Sequence, residues 1–161
     1  MAVDMYLKMD PVKGESLDSK HKGEIDVLAW SWGASQSGST HMGGGSGAGK
    51  VNVQDLSITK YVDAASADLW KAVCEGTHFD DATLVVRKAG GKDAVEYIKL
   101  EMNQVIVTSL SNGGSGGEDR LTENVTLNFA KFKYTYVEQT KQGGKGTDHP
   151  YGYNIAEHVE A

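Results

Sequence analysis

Apolar and polar residues alternate along most of the chain, and this alternation predicts β-strands. In the first such segment Met5, Leu7 and Met9 share one face, while Asp4, Tyr6 and Lys8 lie on the other. Alternation or a short apolar run predicts further strands in EIDVLAWSW (24–32), KVNVQDLSIT (50–59), QVIVTSL (104–110) and NVTLNFAKFKYTY (124–136). The segment ATLVVRKAGGKDAVEYIKLEM (82–102) predicts a hairpin with its turn at AGGKD (89–93).

Two of these strands change phase. In KVNVQDLSIT the apolar residues move from odd to even positions after Val53, which predicts a β-bulge or a sharp bend. In NVTLNFAKFKYTY the same change at Ala130–Lys131 predicts a second bulge.

The segment EIDVLAWSW is apolar on both faces of its predicted strand. One face consists of Ile25, Val27, Ala29 and Ser31, and the other of Leu28, Trp30 and Trp32. A strand of this kind is covered on both sides by a second layer, a partner chain, or both. It favours self-association.

One segment has helical spacing and predicts a helix over about 64–75. Its apolar positions are Ala65, Leu69, Ala72 and Val73. Asp63 fits a cap at the start and Gly76 fits the position after the end. Cys74 falls beside the apolar face, so we expect a partly buried thiol. Many strands and one helix predict a barrel or sandwich, in one domain covering 1–161.

Composition excludes several classes of protein. The chain has 161 residues, a formal net charge of −6 and one cysteine, so no disulfide forms within it. No basic block stands out, which argues against a nucleic-acid partner. No apolar run approaches the ~20 residues of a membrane span. The N-terminal MAVDMYLKMD has no apolar core, so we expect neither a secretory signal nor membrane insertion.

A glycine-rich stretch, SQSGSTHMGGGSGAGKV (35–51), contains the G-x-x-x-x-G-K spacing of a phosphate-binding loop from Gly44 to Lys50. Such a loop needs Ser or Thr after its lysine, where this chain has Val51. It also needs a helix beginning at the lysine, where this chain has a β pattern. Nucleotide binding stays an alternative, and a loop with another role is favoured.

A second short motif, GGSGG (113–117), places Ser115 in the G-x-S-x-G pattern of a hydrolase, with Asp148 and His149 following in chain order. The residues after Ser115 predict a loop and a strand rather than the helix that pattern needs. HFDD (78–81) could ligate a metal, but it also suits a polar exit from the helix. We therefore assign no catalytic, cofactor or metal residue. A monomeric β-barrel with a small ligand is a third alternative.

Longer blocks of the chain closely resemble the Hcp family, the haemolysin-coregulated tube proteins of the type VI secretion system. They are EIDVLAWSWGASQSG, HMGGGSGAGKVNVQDLSITKY, GGSGGEDRLTENVTLNFAKF and YGYNI. The resemblance runs from MAVDMYLK to NIAEHV, which is essentially the whole chain.

The resemblance implies a compact β-barrel of two sheets with one outer helix and a long extended loop at about 35–50. It implies a non-enzymatic subunit without cofactor, which forms hexameric rings that stack into a tube like that of a contractile phage. The lumen holds effector proteins, and a contractile sheath and a spike protein are further partners. The subunit is cytoplasmic when assembled and is exported without a signal peptide. Because the chain ends after the family's closing motif, no appended toxin domain is expected.

Residue roles follow from the strand pattern combined with this resemblance. We expect Ser31 to line the lumen and contact effectors, with Ser115 as a second contact. We expect the long loop to pack on a neighbouring subunit or ring. The predicted ring or stacking contacts are His41, Met42, Gly43, Gly44, Gly45, Gly90, Gly91 and Glu157.

Overall fold

The computed structural model describes residues 3–38, 48–88 and 94–161, and these residues form eleven strands and one helix. The elements are β1 (Val3–Lys8), β2 (Ile25–Asp26), β3 (Ala29–Ser31), β4 (Ala34–Gly38), β5 (Ala48–Val53), β6 (Leu56–Tyr61), α1 (Ser66–Glu75), β7 (His78–Lys88), β8 (Val95–Gly113), β9 (Thr122–Gln139), β10 (Lys145–Asn154) and β11 (Val159–Glu160). The predicted mainly β class with one helix is confirmed.

Nine strands form one antiparallel sheet in the order β11-β10-β9-β8-β7-β1-β2, and β6 pairs with both β9 and β3. The remaining pair, β4 and β5, forms a separate sheet. The large sheet curls around its core, but within the described residues it is not a closed barrel. The chain changes its hydrogen-bonding partner at Val27–Leu28. Val27 N donates to Met5 O on β1, whereas the next residue, Leu28, donates its N–H to Thr59 O on β6.

The two longest strands, β8 and β9, pair with each other along most of their length. The buried side of β9 changes from Phe129 to Phe132, as the sequence predicts. The predicted bulge at Ala130–Lys131 is wrong, because the β8–β9 register is the same on both sides of these residues. The irregularities lie in β8 instead, where Gln104 has a φ of 54° and the register shifts between Val107 and Ser109.

The first predicted change of phase is a complete break. β5 ends at Val53 and β6 begins at Leu56, so the chain bends between two sheets. The predicted long loop at about 35–50 is also corrected, because its two ends pair as β4 and β5. We call residues 34–38 and 48–53 the ribbon. Its base is fixed by hydrogen bonds from Trp32 Nε1 to Gln54 O (3.0 Å) and from Gln54 N to Gly33 O (2.8 Å).

The segment 25–32 changes face at its break. Ile25 and Val27 both belong to the core, so the predicted grouping of Val27 with the outward Ser31 is wrong. Beyond the break Trp30 and Trp32 pack against the core, while Leu28 and Ser31 are exposed. The strand is therefore not covered on both faces within one chain.

Helix α1 closes one end of the core through Ala65, Leu69 and Ala72. It begins two residues later than predicted, and the backbone N–H of Ala65 donates to Asp63 Oδ1 over 2.9 Å. Gly76 follows the helix with a φ of 64°, the left-handed conformation expected of a residue in that position. Cys74 is exposed, which corrects the expected partial burial.

A loop over residues 13–24 covers the outer face of β1 and β7 and is held there by charge. The Arg87 guanidinium donates two hydrogen bonds to Asp18, from Nη2 to Oδ1 over 2.7 Å and from Nη1 to Oδ2 over 3.0 Å. Such bidentate pairs define geometry closely. Gly14 is needed for the close approach, since a Cβ there would lie 2.5 Å from Glu24 O.

Histidine and aromatic contacts complete the attachment of this loop. The rings of Tyr6 and His21 stack with their centroids 4.6 Å apart. His21 contacts Glu24 through Nδ1 at 3.0 Å and Glu96 through Nε2 at 2.7 Å. The 13–24 loop is therefore a fixed part of the surface.

Acid is expected to weaken this attachment. The hydrogen bond from Arg87 holds the pKa of the Asp18 carboxyl well below its ordinary value of 3.8. A carboxyl with a lowered pKa stabilises the folded state above its unfolded pKa, and that stabilisation is lost as pH falls below about 4. The difference in free energy of unfolding between the wild type and Asp18→Asn should therefore shrink as pH falls from about 6 to about 3. Urea unfolding at several pH values measures it, and a constant difference would contradict the assignment.

Candidate assembly and cargo surfaces

Short, uncharged side chains cover the outer face of β3, β6, β9 and the second half of β8. Cross-strand pairing sets them in two rows, Ser31–Ser57–Thr126–Ser109 and Ala29–Thr59–Asn124–Ser111. We call these eight residues the hydroxyl wall. All of them are exposed or half-buried. The strands place them outward because the alternate residues of β6 and β9 form the core.

Hydrogen bonds within and beside the wall hold its side chains in place. Thr59 Oγ1 donates to Asn124 Oδ1 over 2.8 Å. At the edge of the wall Asp55 accepts from Thr108 Oγ1 (2.6 Å) and from Asn128 Nδ2 (2.8 Å). The wall is therefore a hydrogen-bonded polar surface with a carboxylate at its border.

Of the two predicted cargo contacts, Ser31 is a member of the wall and Ser115 is not. Ser31 belongs to the first row of the wall. Ser115 is exposed in the connection between β8 and β9, beyond the outward positions Ser109 and Ser111. The backbone carbonyl of Ser115 accepts from Glu118 N over 3.2 Å.

A buried ion pair lies directly behind the wall. Lys60 and Glu123 are cross-strand partners on β6 and β9, and both are 0% exposed. Lys60 Nζ contacts Glu123 Oε1 and also donates to Asp63 Oδ1 over 2.8 Å. Ser66 Oγ at the start of α1 donates to Glu123 Oε1 over 2.7 Å. The pair therefore links two of the wall's four strands, β6 and β9, to the helix.

Sequence reasoning missed this pair, although a signal was present. Lys60 continues the buried series that begins with Leu56 and Ile58, and Glu123 begins the buried series that continues with Val125. A cationic and an anionic residue at core positions of two strands indicate a pair, because buried charges require partners.

The ribbon stands over a groove of about 670 Å³. The groove is lined mainly by Val51, Val53, Phe132, Tyr151 and Tyr153, with Lys50 and His158 also contributing. Every residue of β4 is exposed. A two-stranded ribbon is only marginally stable by itself in water.

The predicted ring and stacking contacts are only partly described. His41, Met42, Gly43, Gly44, Gly45, Gly90 and Gly91 lie outside the described residues. Glu157 is exposed in the turn between β10 and β11, where its backbone N–H donates to Asn154 Oδ1 over 3.0 Å.

The geometry of the alternative sites differs from what their chemistry requires. Lys50 lies within strand β5, whereas a phosphate-binding loop needs its lysine at the start of a helix. Ser115 is followed by a loop and β9, whereas a hydrolase elbow leads into a helix. His149 Nε2 lies 2.8 Å from Glu138 Oε2, and Asp148 pairs with Lys145.

Within the described ranges, no helix has both the length and the apolar character needed to cross a bilayer.

Comparison with known proteins agrees with this fold over the whole chain. The family model described as "Type VI secretion system effector, Hcp" matches residues 6–136. The protein hcp1 of Pseudomonas aeruginosa is 59% identical over 162 residues, covering 100% of both chains. A solved structure described as a type six secretion system protein has a TM-score of 0.93 at 31% identity, covering 99% of this chain and 100% of that one. Hcp1 from Salmonella typhimurium has a TM-score of 0.83 at 39% identity, covering 100% of both. This chain therefore belongs to the Hcp family of type VI secretion system proteins.

Proposed function

We propose that this chain is the subunit of the inner tube of a type VI secretion system. It assembles into hexameric rings, the rings stack, and the hydroxyl wall faces the lumen, where it carries effector proteins. The observation that carries this proposal is the wall itself, with Ser31 in one of its rows.

The chemistry of the wall suits a transient carrier. Its hydroxyl and amide groups exchange hydrogen bonds with water and with cargo at little net cost. The wall contains no large apolar side chain that would hold cargo by burial. We call the point where the buried side of β9 changes, at Ala130–Lys131, the corner. The outer face of β8 and β9 on the other side of the corner differs from the wall, since it carries Lys99, Glu101 and Lys133. The uncharged wall therefore suits the lumen, and the charged face suits the exterior of the tube, which meets the contractile sheath.

The ribbon supplies an arm for assembly. Because its own chain leaves β4 exposed, contact with a neighbouring subunit or ring would stabilise it. The same proposal gives the subunit its other partner, a spike protein, and its route, export after assembly in the cytoplasm without enzymatic activity.

Enlarging Ser31 should block cargo without preventing assembly. In Ser31→Trp, an indole projects from the wall and displaces effector surface. We expect the rings to remain hexameric, with retained effector reduced by about tenfold, a change equal to ~1.4 kcal/mol of binding free energy. Native mass spectrometry of rings purified from the producing bacterium measures both quantities.

Ser19→Trp is the matched control, because Ser19 is an exposed serine on the 13–24 loop, away from the wall. Its rings should keep their cargo. Full retention of effector by hexamers of Ser31→Trp would show that the wall is not the cargo surface. Monomers in the wild type at assembly concentrations would refute the tube proposal itself.

A further inference from the structure

His21 is a buried titratable residue that belongs to neither the hydroxyl wall nor the ribbon. Its side chain is 8% exposed, and its ring stacks on that of Tyr6 with the two planes 11° apart. Each ring nitrogen faces a carboxylate, Nδ1 at 3.0 Å from Glu24 Oε2 and Nε2 at 2.7 Å from Glu96 Oε1. Glu24 lies on the 13–24 loop and Glu96 on β8, so the ring joins the loop to the sheet.

One protonation state of His21 satisfies both contacts with ionised carboxylates. A neutral imidazole has one N–H donor and one nitrogen lone pair, whereas an imidazolium has two N–H donors. An ionised carboxylate accepts hydrogen bonds and donates none. With a neutral ring, one nitrogen lone pair would point at a carboxylate oxygen no more than 3.0 Å away. With an imidazolium, both contacts are charge-assisted hydrogen bonds, which are the stronger kind.

The charges around the ring also favour its positive form. The charged and titratable groups of the surrounding elements are Asp18, Lys20, Lys22 and Glu24 on the loop, Asp4 and Tyr6 on β1, Asp26 on β2, Arg87 and Lys88 on β7, and Glu96 and Lys99 on β8. The guanidinium of Arg87 is paired with Asp4 and Asp18, and the ammonium of Lys99 is paired with Glu101. Burial raises the pKa of Tyr6 to about 12, so this neighbour stays neutral. The two glutamates that contact His21 therefore depend on its ring for a cation.

We infer that His21, as an imidazolium, holds the 13–24 loop on β8, and that the loop opens when the ring loses its proton. The two hydrogen bonds exist while the ring is protonated, so their contribution is lost as pH rises. The pair of Arg87 with Asp18 has the opposite dependence and is lost in acid. The loop is therefore attached most firmly at intermediate pH, and a rise in pH exposes the outer face of β1 and β7. All of these groups belong to one chain, so the inference does not depend on the proposed tube.

Trypsin cleavage measures the opening of the loop. Lys22 is exposed within the loop, and cleavage after it requires the residues on both sides to leave the fold. The whole protein in its assembled state is digested at about pH 6 and about pH 9. Each rate is divided by the rate for a peptide of residues 16–27 at the same pH, which removes the pH dependence of trypsin itself. We expect this ratio to rise about tenfold between the two pH values, because loss of charge-assisted hydrogen bonds increases the open population.

His21→Gln removes the titrating ring and keeps a side chain that forms hydrogen bonds. Its cleavage ratio, taken against a peptide with the same substitution, should be high at both pH values and change less than about twofold. His149→Gln is the matched control, because His149 Nε2 also contacts a carboxylate, Glu138 Oε2 at 2.8 Å, but on the exposed surface of β9 and β10. It should behave like the wild type. A wild-type ratio that does not rise, or an equal rise in His21→Gln, would overturn the inference.

Glu96→Gln gives a second test that keeps the histidine. The amide offers an N–H donor as well as an acceptor oxygen, so it bonds a neutral ring as well as a charged one. The rise in the cleavage ratio should therefore be clearly smaller than in the wild type, and a rise of the wild-type size would contradict the role of Glu96. Mass spectrometry of the fragments locates the cuts. Cuts confined to the 13–24 loop support its opening, whereas cuts throughout the chain at the higher pH would show general unfolding and refute it.

Discussion

Replacing Lys60 with Met should destabilise the folded subunit by about 3–5 kcal/mol, because Glu123 would remain as a fully buried charge without its cation. The substitution would loosen the contact between β6 and β9 and also the start of α1, because Asp63 and Ser66 bond to the same pair. Urea unfolding followed by tryptophan fluorescence measures the loss. All variants are compared at one protein concentration, because assembly would contribute to apparent stability.

Two further variants separate the cost of an unpaired charge from the loss of a side chain. Lys60→Met combined with Glu123→Leu removes both charges of the pair and should recover part of the stability, because Asp63 still loses its contact with Lys60. Lys145→Met removes an exposed partner of Asp148, 3.6 Å away, and should cost no more than about 1 kcal/mol. If the double variant were less stable than Lys60→Met, the account of the buried pair would be wrong.

Truncating Phe129 to Ala should cost about 3–5 kcal/mol. Phe129 is 4% exposed and lies at the corner where the buried side of β9 changes. Its ring centroid is 6.2 Å from that of Trp32 and 6.3 Å from that of Phe132. Removing the ring would leave a cavity in the core. That cavity would lie between the part of the sheet that carries the wall and the part on the other side of the corner. Thermal and urea unfolding measure the change.

Tyr136→Ala provides the comparison, because Tyr136 lies on the same strand and is 41% exposed. We expect a clearly smaller cost there. Equal costs for the two variants would show that the corner is not the centre of packing.

The hydrophobic pattern predicted strands and the helix well where one face of the element packs on the core and the other faces solvent. Alternation located β1, β7, β8 and β9, and helical spacing located α1, because in these elements one face packs on the core. The first phase change located a real break between Val53 and Leu56. The bulge predicted at the second phase change, Ala130–Lys131, is wrong, although the buried side of β9 does change there. Whether a strand bulges, breaks or bends depends on its partner, as Gln104 shows by taking up in β8 an irregularity expected in β9.

The candidate surfaces were harder to predict from the sequence than the strands and the helix. Ser31 was placed correctly on an outward face, because its own alternation was sufficient. The rest of the wall comes from three other strands, and the register that aligns Ser57, Thr126 and Ser109 with it is long-range. The buried pair was missed because charged residues are normally assigned to solvent. The ion pair that attaches the 13–24 loop joins residues 18 and 87, and no local pattern contains such a pair.

The register of β8 and β9, which is constant from Ile98–Tyr136 to Val107–Leu127 and shifts once before Ser109, also limits how such a protein can diverge. Inserting one residue into either strand would turn every later side chain to the opposite face, exchanging wall positions for core positions. Single substitutions at Ser109, Ser111, Asn124 or Thr126 leave that order intact. New cargo preferences can therefore arise by exchanging side chains one at a time, while the lengths of these two strands stay constant and length variation is confined to the connections.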